Sequence, residues 1–136
     1  MNNSALSSEY LSKSFRYLKQ AKTSLEEGDL VGTIDNSYDF IENLSKALLA
    51  LYGYYSLEDH VSQKLNLILS KLTQEKEITL IRRLQLLEEK LYPLTLLDES
   101  SFKDSVIIRN FEAKGLIKEL EEIFELANNV FDEFHS

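Results

Sequence analysis

The sequence predicts an all-α protein, and three observations lead to that prediction. Four glycines and one proline in 136 residues leave few breaks, which favours a small number of long elements. The chain is rich in Leu, Glu and Lys, which form helices readily. Apolar residues recur at intervals of three and four, and no alternating strand pattern competes with them. We therefore expect an antiparallel up-and-down bundle of about five helices.

The predicted elements follow from the apolar stripes and from the residues that interrupt them. The predicted helices span about residues 8–27, 29–52, 57–72 and 75–92, followed by a last helical segment after residue 101. Residues 1–6 are expected to form a flexible tail, and residues 94–101 a loop. The whole chain, residues 1–136, then forms a single helical domain.

Each predicted boundary has a local chemical reason. Gly28 and Gly53 can take the left-handed conformation that ends a helix, and Asp29 is a suitable N-cap for the second helix. Pro93 constrains the residue before it, so we expect the fourth helix to end there. Gly115 weakens a helix interior, which predicts a break or kink in the last segment.

Composition limits the classes of function. The absence of cysteine excludes disulfides, thiolate metal sites and thiol catalysis. A net charge of −8 disfavours duplex DNA and anionic membranes as partners, because both attract basic surfaces. No apolar run reaches the roughly 20 residues of a membrane span, and the N-terminal residues do not resemble a signal peptide. We therefore expect a cytoplasmic protein.

The second helix carries a polar stripe beside its apolar face. Asp35, Asp39, Glu42 and Lys46 follow one another at spacings of four, three and four residues. The simpler interpretation is a solvated face on which Glu42 pairs with Lys46. The alternative is a polar site shielded by another helix, where the carboxylates need a neighbouring cation or basic partner.

The two histidines form no local metal motif. His60 is expected in the first turn of the third helix, hydrogen-bonded and half exposed, and His135 lies next to the C terminus. Neither follows a Glu at the Glu-x-x-His spacing of helical di-iron sites. We therefore expect no metal ligands.

The segment E-N-L-S-K-A-L-L at residues 42–49, followed by Gly53 and His60, resembles the HEPN family of small helical domains. Leu91-Tyr92-Pro93 is similar to the family's L-Y segment, although the R-Y-P element that usually follows is absent. The resemblance implies a helical bundle associated with nucleotides, RNA cleavage and toxin–antitoxin pairs. It also implies a homodimer, often found with a small nucleotidyltransferase.

Catalytic members of the family are implied to be metal-independent RNases with an Arg-x4–6-His motif. No Arg of this chain is followed by His at that spacing. The resemblance places Arg109 where the family's functional Arg lies, with Lys114 in the position of the His. A protonated Lys is a poor general base, so we assign no catalytic residue and expect no enzymatic activity.

The resulting expectation is a non-catalytic, dimeric HEPN-like module. It would bind a nucleotide or a partner protein such as a small nucleotidyltransferase, with no other cofactor. Its candidate binding residues are Glu42, Lys46, His60 and Arg109. Two alternatives stay open: a divergent RNase toxin that uses Arg109 with another acid–base group such as His60, and a helical adaptor unrelated to HEPN.

Overall fold

A computed structural model describes the backbone of residues 3–56, 58, 60–96 and 99–135, and the side chains of these residues except 3, 99–111, 134 and 135. In these ranges the chain is helical and contains no strand. The elements are α1 (Asn3–Glu26), α2 (Leu30–Leu51), a 3-10 turn (Val61–Leu65), α3 (Asn66–Leu69), α4 (Glu75–Thr95) and α5 (Glu99–His135). The predicted all-α bundle is confirmed.

The first hairpin has the boundaries that its local residues dictate. Gly28 has a φ of +76°, and the Asp29 side chain accepts a hydrogen bond of 2.8 Å from the Gly32 backbone N–H. The connection is so short that α1 and α2 pack antiparallel, and they share the most extensive interface of the fold. Gly53, with a φ of +82°, follows the end of α2.

The core lies where α2 crosses the other long helices. Phe40, Ile41 and Leu44 are fully buried at the centre of α2. They pack in one apolar cluster with residues of α4 and α5, among them Leu84 and Leu120. Ion pairs join Lys76 to Glu133 and, further along α4, Arg83 to Glu122, so these two helices run antiparallel.

The third helix differs from the prediction. Residues 57–72 do not form one continuous helix, because regular structure starts only at Val61 and consists of the 3-10 turn and the single turn of α3. Leu57 and Asp59, within the predicted third helix, lie outside the described residues. His60 precedes the 3-10 turn with left-handed backbone angles, so its expected place in a first helical turn was wrong.

The other helix boundaries differ for simple energetic reasons. Helix α1 begins at Asn3, so residues 3–6 are helical rather than a tail. Pro93 lies inside the last turn of α4. Proline has no backbone N–H, so the carbonyl of Glu89 loses its helical hydrogen bond, but this loss costs little because Glu89 is exposed to solvent. The predicted loop is correspondingly shorter, because α4 reaches Thr95 and α5 starts at Glu99.

Gly115 does not interrupt the last helix. Helix α5 is continuous over 37 residues, so the predicted break was wrong. A glycine in a helix interior costs about 1 kcal/mol relative to alanine. The burial of Leu116 and Leu120, on the turns that follow, offsets that cost. Among the described residues, no helix is long and apolar enough to span a membrane.

A candidate polar site and an apolar cavity

A polar cluster surrounds His60, a residue with a left-handed backbone. We define this polar cluster as Tyr38, Glu42, His60, Glu88 and Tyr92. His60 has φ 60° and ψ 40°, and no other non-glycine residue in the described ranges has a positive φ. Such a conformation costs a non-glycine residue about 1–2 kcal/mol. It therefore needs support from the surrounding side chains, and residues in this conformation are frequent at functional sites.

That support comes from a buried carboxylate on α4. Oε1 of Glu88 lies 2.7 Å from Nδ1 of His60, and the Tyr38 hydroxyl on α2 donates to the same oxygen at 3.4 Å. The Glu88 side chain is 5 % exposed and that of His60 38 %. Because an ionised carboxylate only accepts hydrogen bonds, Nδ1 carries the proton of the His60–Glu88 bond, and Nε2 is the acceptor nitrogen whenever the ring is neutral.

Aromatic rings fix the plane of the imidazole. The ring of Tyr92 meets that of His60 edge to face, with centroids 3.8 Å apart and planes at 80°. The ring centroids of Tyr38 and Tyr92 are 5.9 Å apart, so the rings of the two tyrosines and the histidine form one continuous contact. A carboxylate on Nδ1 and a ring against its side restrict the imidazole to a single orientation.

Glu42 closes the inner side of the polar cluster. Its Oε2 accepts a hydrogen bond of 3.1 Å from the backbone N–H of Val61, the residue after His60. Its Oε1 is buried and has no hydrogen-bond partner among the described residues. Burial, and secondarily the charge of Glu88, raises the pKa of Glu42, although the Val61 bond, Lys46 and His60 favour the charged form.

The structure divides the predicted polar stripe of α2. Glu42 is buried, Asp39 and Lys46 are half-buried, and Asp35 is exposed. Lys46 acts on Glu42 through its charge and lies 6.0 Å from the ring centre of Tyr10. The stripe is therefore solvated at Asp35 and shielded from solvent at Glu42.

The predicted binding residues are only partly brought together. Glu42, Lys46 and His60 lie in one region, whereas the side chain of Arg109 lies outside the described residues. Sequence reasoning missed Glu88 and Tyr38, since the first is one of many glutamates and the second belongs to the apolar face of α2. The family-like L-Y-P segment was the one signal that pointed to Tyr92.

A separate apolar cavity opens between the start of α2, the end of α4 and the middle of α5. Its volume is about 320 Å³, which reaches the lower end of the range for small-molecule sites. Aliphatic side chains form most of its wall: Leu30, Ile34, Leu91, Leu94, Ala113 and Leu116. Lys90, Glu112, Gly115 and Glu119 complete the lining.

Comparison with known proteins defines the class to which this fold belongs. A family model described as the HEPN domain matches residues 7–130, which cover most of the chain. The protein belongs to the HEPN family, and this membership points to a nucleotide- or RNA-related or toxin-like function. No curated protein and no solved structure matches the chain.

Proposed function

We propose that this HEPN domain is a binding and assembly module rather than a nuclease. It acts as a homodimer in the cytoplasm and binds a nucleotide or a partner protein such as a small nucleotidyltransferase, in a pair of the toxin–antitoxin kind. The observation that carries the proposal is the cavity of about 320 Å³ between α2, α4 and α5. A concave apolar site with a few polar groups at its edge is the usual form of a binding site.

The sequence supports a non-catalytic role. The Arg-x4–6-His motif implied for catalytic members is absent from the chain. A net charge of −8 also works against the binding of a polyanion such as RNA. A protein that binds a small ligand or another protein does not need a positive net charge.

Gly115 provides a direct test of the cavity. A Cβ added at Gly115 meets no other atom within 4 Å, so a larger side chain fits on the helix and occupies the space in front of the cavity. Gly115→Leu should therefore block ligand binding without loss of stability, while Gly115→Ala should leave the cavity open. Titration calorimetry with ATP on the wild type and both variants measures the effect.

The dimer has a candidate face on α3 and α4. The Gln85 amide on α4 donates to the Asn66 side chain at 3.0 Å, so the two helices adjoin there. The next residues along each helix, Leu67 and Leu86, are 55 % and 67 % exposed. We infer that these two exposed leucines belong to one apolar surface, of the kind that binds another protein.

Light scattering tests the dimer. A dimer has twice the chain mass of 15.7 kDa, and Leu86→Glu should reduce the measured mass to that of the monomer. Leu96→Glu, a substitution of a leucine that is 68 % exposed at the end of α4, serves as the control. A wild type that stays monomeric at high concentration refutes the dimer.

The polar cluster favours a second candidate, a divergent RNase. A buried carboxylate on Nδ1 and an acceptor at Nε2 are what a general-base histidine requires. In this candidate His60 takes the place of the missing motif histidine, with Arg109 as the cationic residue. Cleavage of single-stranded RNA that disappears in both His60→Ala and Arg109→Ala would establish it, and cleavage that persists in both would indicate a contaminating nuclease.

A further inference from the structure

Two buried carboxylates from different helices hold the same short piece of chain. Glu88 on α4 accepts a hydrogen bond of 2.7 Å from the side chain of His60. Glu42 on α2 accepts one of 3.1 Å from the backbone N–H of Val61. Because His60 and Val61 are consecutive, the chain is tied to both helices at the point where its backbone is left-handed. The two hydrogen bonds offset the strain of that conformation.

The two carboxylates also repel each other. Burial raises the pKa of Glu42, and the negative charge of Glu88 raises it further. The charges of Lys46 and His60 act in the opposite direction. When His60 is neutral, Lys46 is the remaining cation among the described groups that act on Glu42, so the polar cluster carries more negative than positive charge.

The other groups around His60 add no further positive charge. Tyr38 and Tyr92 contribute a hydroxyl group and aromatic rings. In the 3-10 turn that follows, the ammonium group of Lys64 lies 2.7 Å from Oε2 of Glu58, so its charge is compensated there. A bound proton is therefore the simplest way to reduce the negative charge of the polar cluster.

The structure offers two positions for such a proton. Oε1 of Glu42 is buried and has no hydrogen-bond partner among the described residues, and an ionised oxygen in that state is costly. Nε2 of His60 is the second position, because protonation there gives an imidazolium beside the two carboxylates. Oε1 of Glu88 remains an acceptor in either case, since it already faces His60 and the Tyr38 hydroxyl.

We propose that the polar cluster is a proton-controlled latch. One proton, shared between Glu42 and His60, holds His60 and Val61 against α2 and α4, and loss of this proton loosens both residues. With the proton bound, the hydrogen bonds outweigh the left-handed strain. Without it, the repulsion between Glu42 and Glu88 adds to that strain. The inference goes beyond the proposed function and applies whether the protein binds a partner or cleaves RNA.

The backbone N–H of Val61 reports the state of the latch, because it is bound to Glu42. Hydrogen exchange followed by NMR gives its protection factor, and the amide of Leu44, at the buried centre of α2, is the reference for global unfolding. One linked proton changes an equilibrium by up to about tenfold per pH unit. The ratio of the Val61 to the Leu44 protection factor should fall at least about tenfold between about pH 5.5 and about pH 8.

Three variants test the origin of the pH dependence. Glu42→Gln removes the ionisable group but keeps an oxygen that accepts from Val61, so the ratio should stay high and lose most of its pH dependence. Glu89→Gln, which changes the exposed neighbour of Glu88 on α4, is the matched control and should behave like the wild type. In His60→Asn the side chain tolerates the left-handed backbone and can donate to Glu88 but cannot take up a proton. The midpoint should therefore move to lower pH.

The outcomes separate the latch from a general effect of pH on stability. A wild-type ratio that does not change with pH overturns the inference, and so does a pH dependence in Glu42→Gln as strong as that in Glu89→Gln. Loss of the pH dependence in Glu42→Gln, with titration retained in Glu89→Gln, supports it. Circular dichroism melting checks that each variant is folded. If Glu42→Gln does not fold, an unshifted midpoint in His60→Asn overturns the inference instead.

Discussion

Replacement of His60 by alanine tests the polar cluster most directly. The substitution removes the imidazole that donates to Glu88 at 2.7 Å and that packs against the ring of Tyr92. It leaves the buried Glu88 carboxylate with the Tyr38 hydroxyl, at 3.4 Å, as its remaining hydrogen-bond donor in the described structure. The protein should unfold more easily.

The expected loss can be worked out from these contacts. A hydrogen bond to a charged group contributes about 1.5–3 kcal/mol, and an aromatic edge-to-face contact about 0.5–1.5 kcal/mol. Alanine retains the left-handed strain, so nothing offsets the loss. Because the His60 side chain is 38 % exposed, solvent weakens both contacts, and we expect the lower part of the combined range. His60→Ala should therefore lower the free energy of unfolding by about 2–3 kcal/mol, which for a domain of this size lowers Tm by about 6–10 °C.

Glycine at the same position separates the side chain from the backbone. His60→Gly removes the same contacts but relieves the left-handed strain of about 1–2 kcal/mol. Part of that gain is lost to the greater entropy of the unfolded chain, about 0.4–1 kcal/mol. His60→Gly should therefore be about 0.5–1 kcal/mol more stable than His60→Ala.

Urea unfolding followed by circular dichroism, with a double-mutant cycle, provides the assay. In a Glu88→Gln background, His60→Ala should cost at least about 1 kcal/mol less than in the wild type, because the buried charge is gone. A loss below about 0.5 kcal/mol for His60→Ala, or equal losses in both backgrounds, would refute the interaction between His60 and Glu88 as described.

Three further predictions follow from single positions. Gly115→Ala should raise the free energy of unfolding by about 0.5–1 kcal/mol in thermal melts, because Gly115 lies inside a continuous helix; destabilisation would place a break there. Gly32→Ala should cost about 1 kcal/mol by disrupting the Asp29 cap, since its Cβ would stand 2.2 Å from Oδ2 of Asp29; an unchanged Tm contradicts this. The pKa of Glu42 is raised in the folded state, so folding favours the protonated form of this carboxyl group. Above that pKa the group is ionised, and its buried charge lowers the free energy of unfolding. Urea titrations should therefore show that Glu42→Gln stabilises the protein near pH 7 by about 1 kcal/mol and that the gain shrinks as the pH falls toward 4.5; a gain that is independent of pH would contradict the raised pKa.

The sequence determined the features that depend on neighbouring residues. Asp29 caps α2 and Gly28 ends α1. Capping joins atoms of residues only three or four positions apart, so the sequence alone predicts it. The apolar face of α2 likewise predicted the buried side chains of Ile41 and Leu44. Local preference was misleading where tertiary packing outweighs it, as at Gly115, where buried leucines hold the helix together.

Tertiary structure alone decided the candidate sites. His60 and Glu88 are 28 residues apart, and neither sequence spacing nor composition selects that glutamate from the others near it. The cavity is formed by three helices that contribute a few residues each, so no segment of the chain contains its signature. Helical periodicity specifies which face of each helix is buried, but the packing of the helices against one another determines which polar groups meet and where a space is left open.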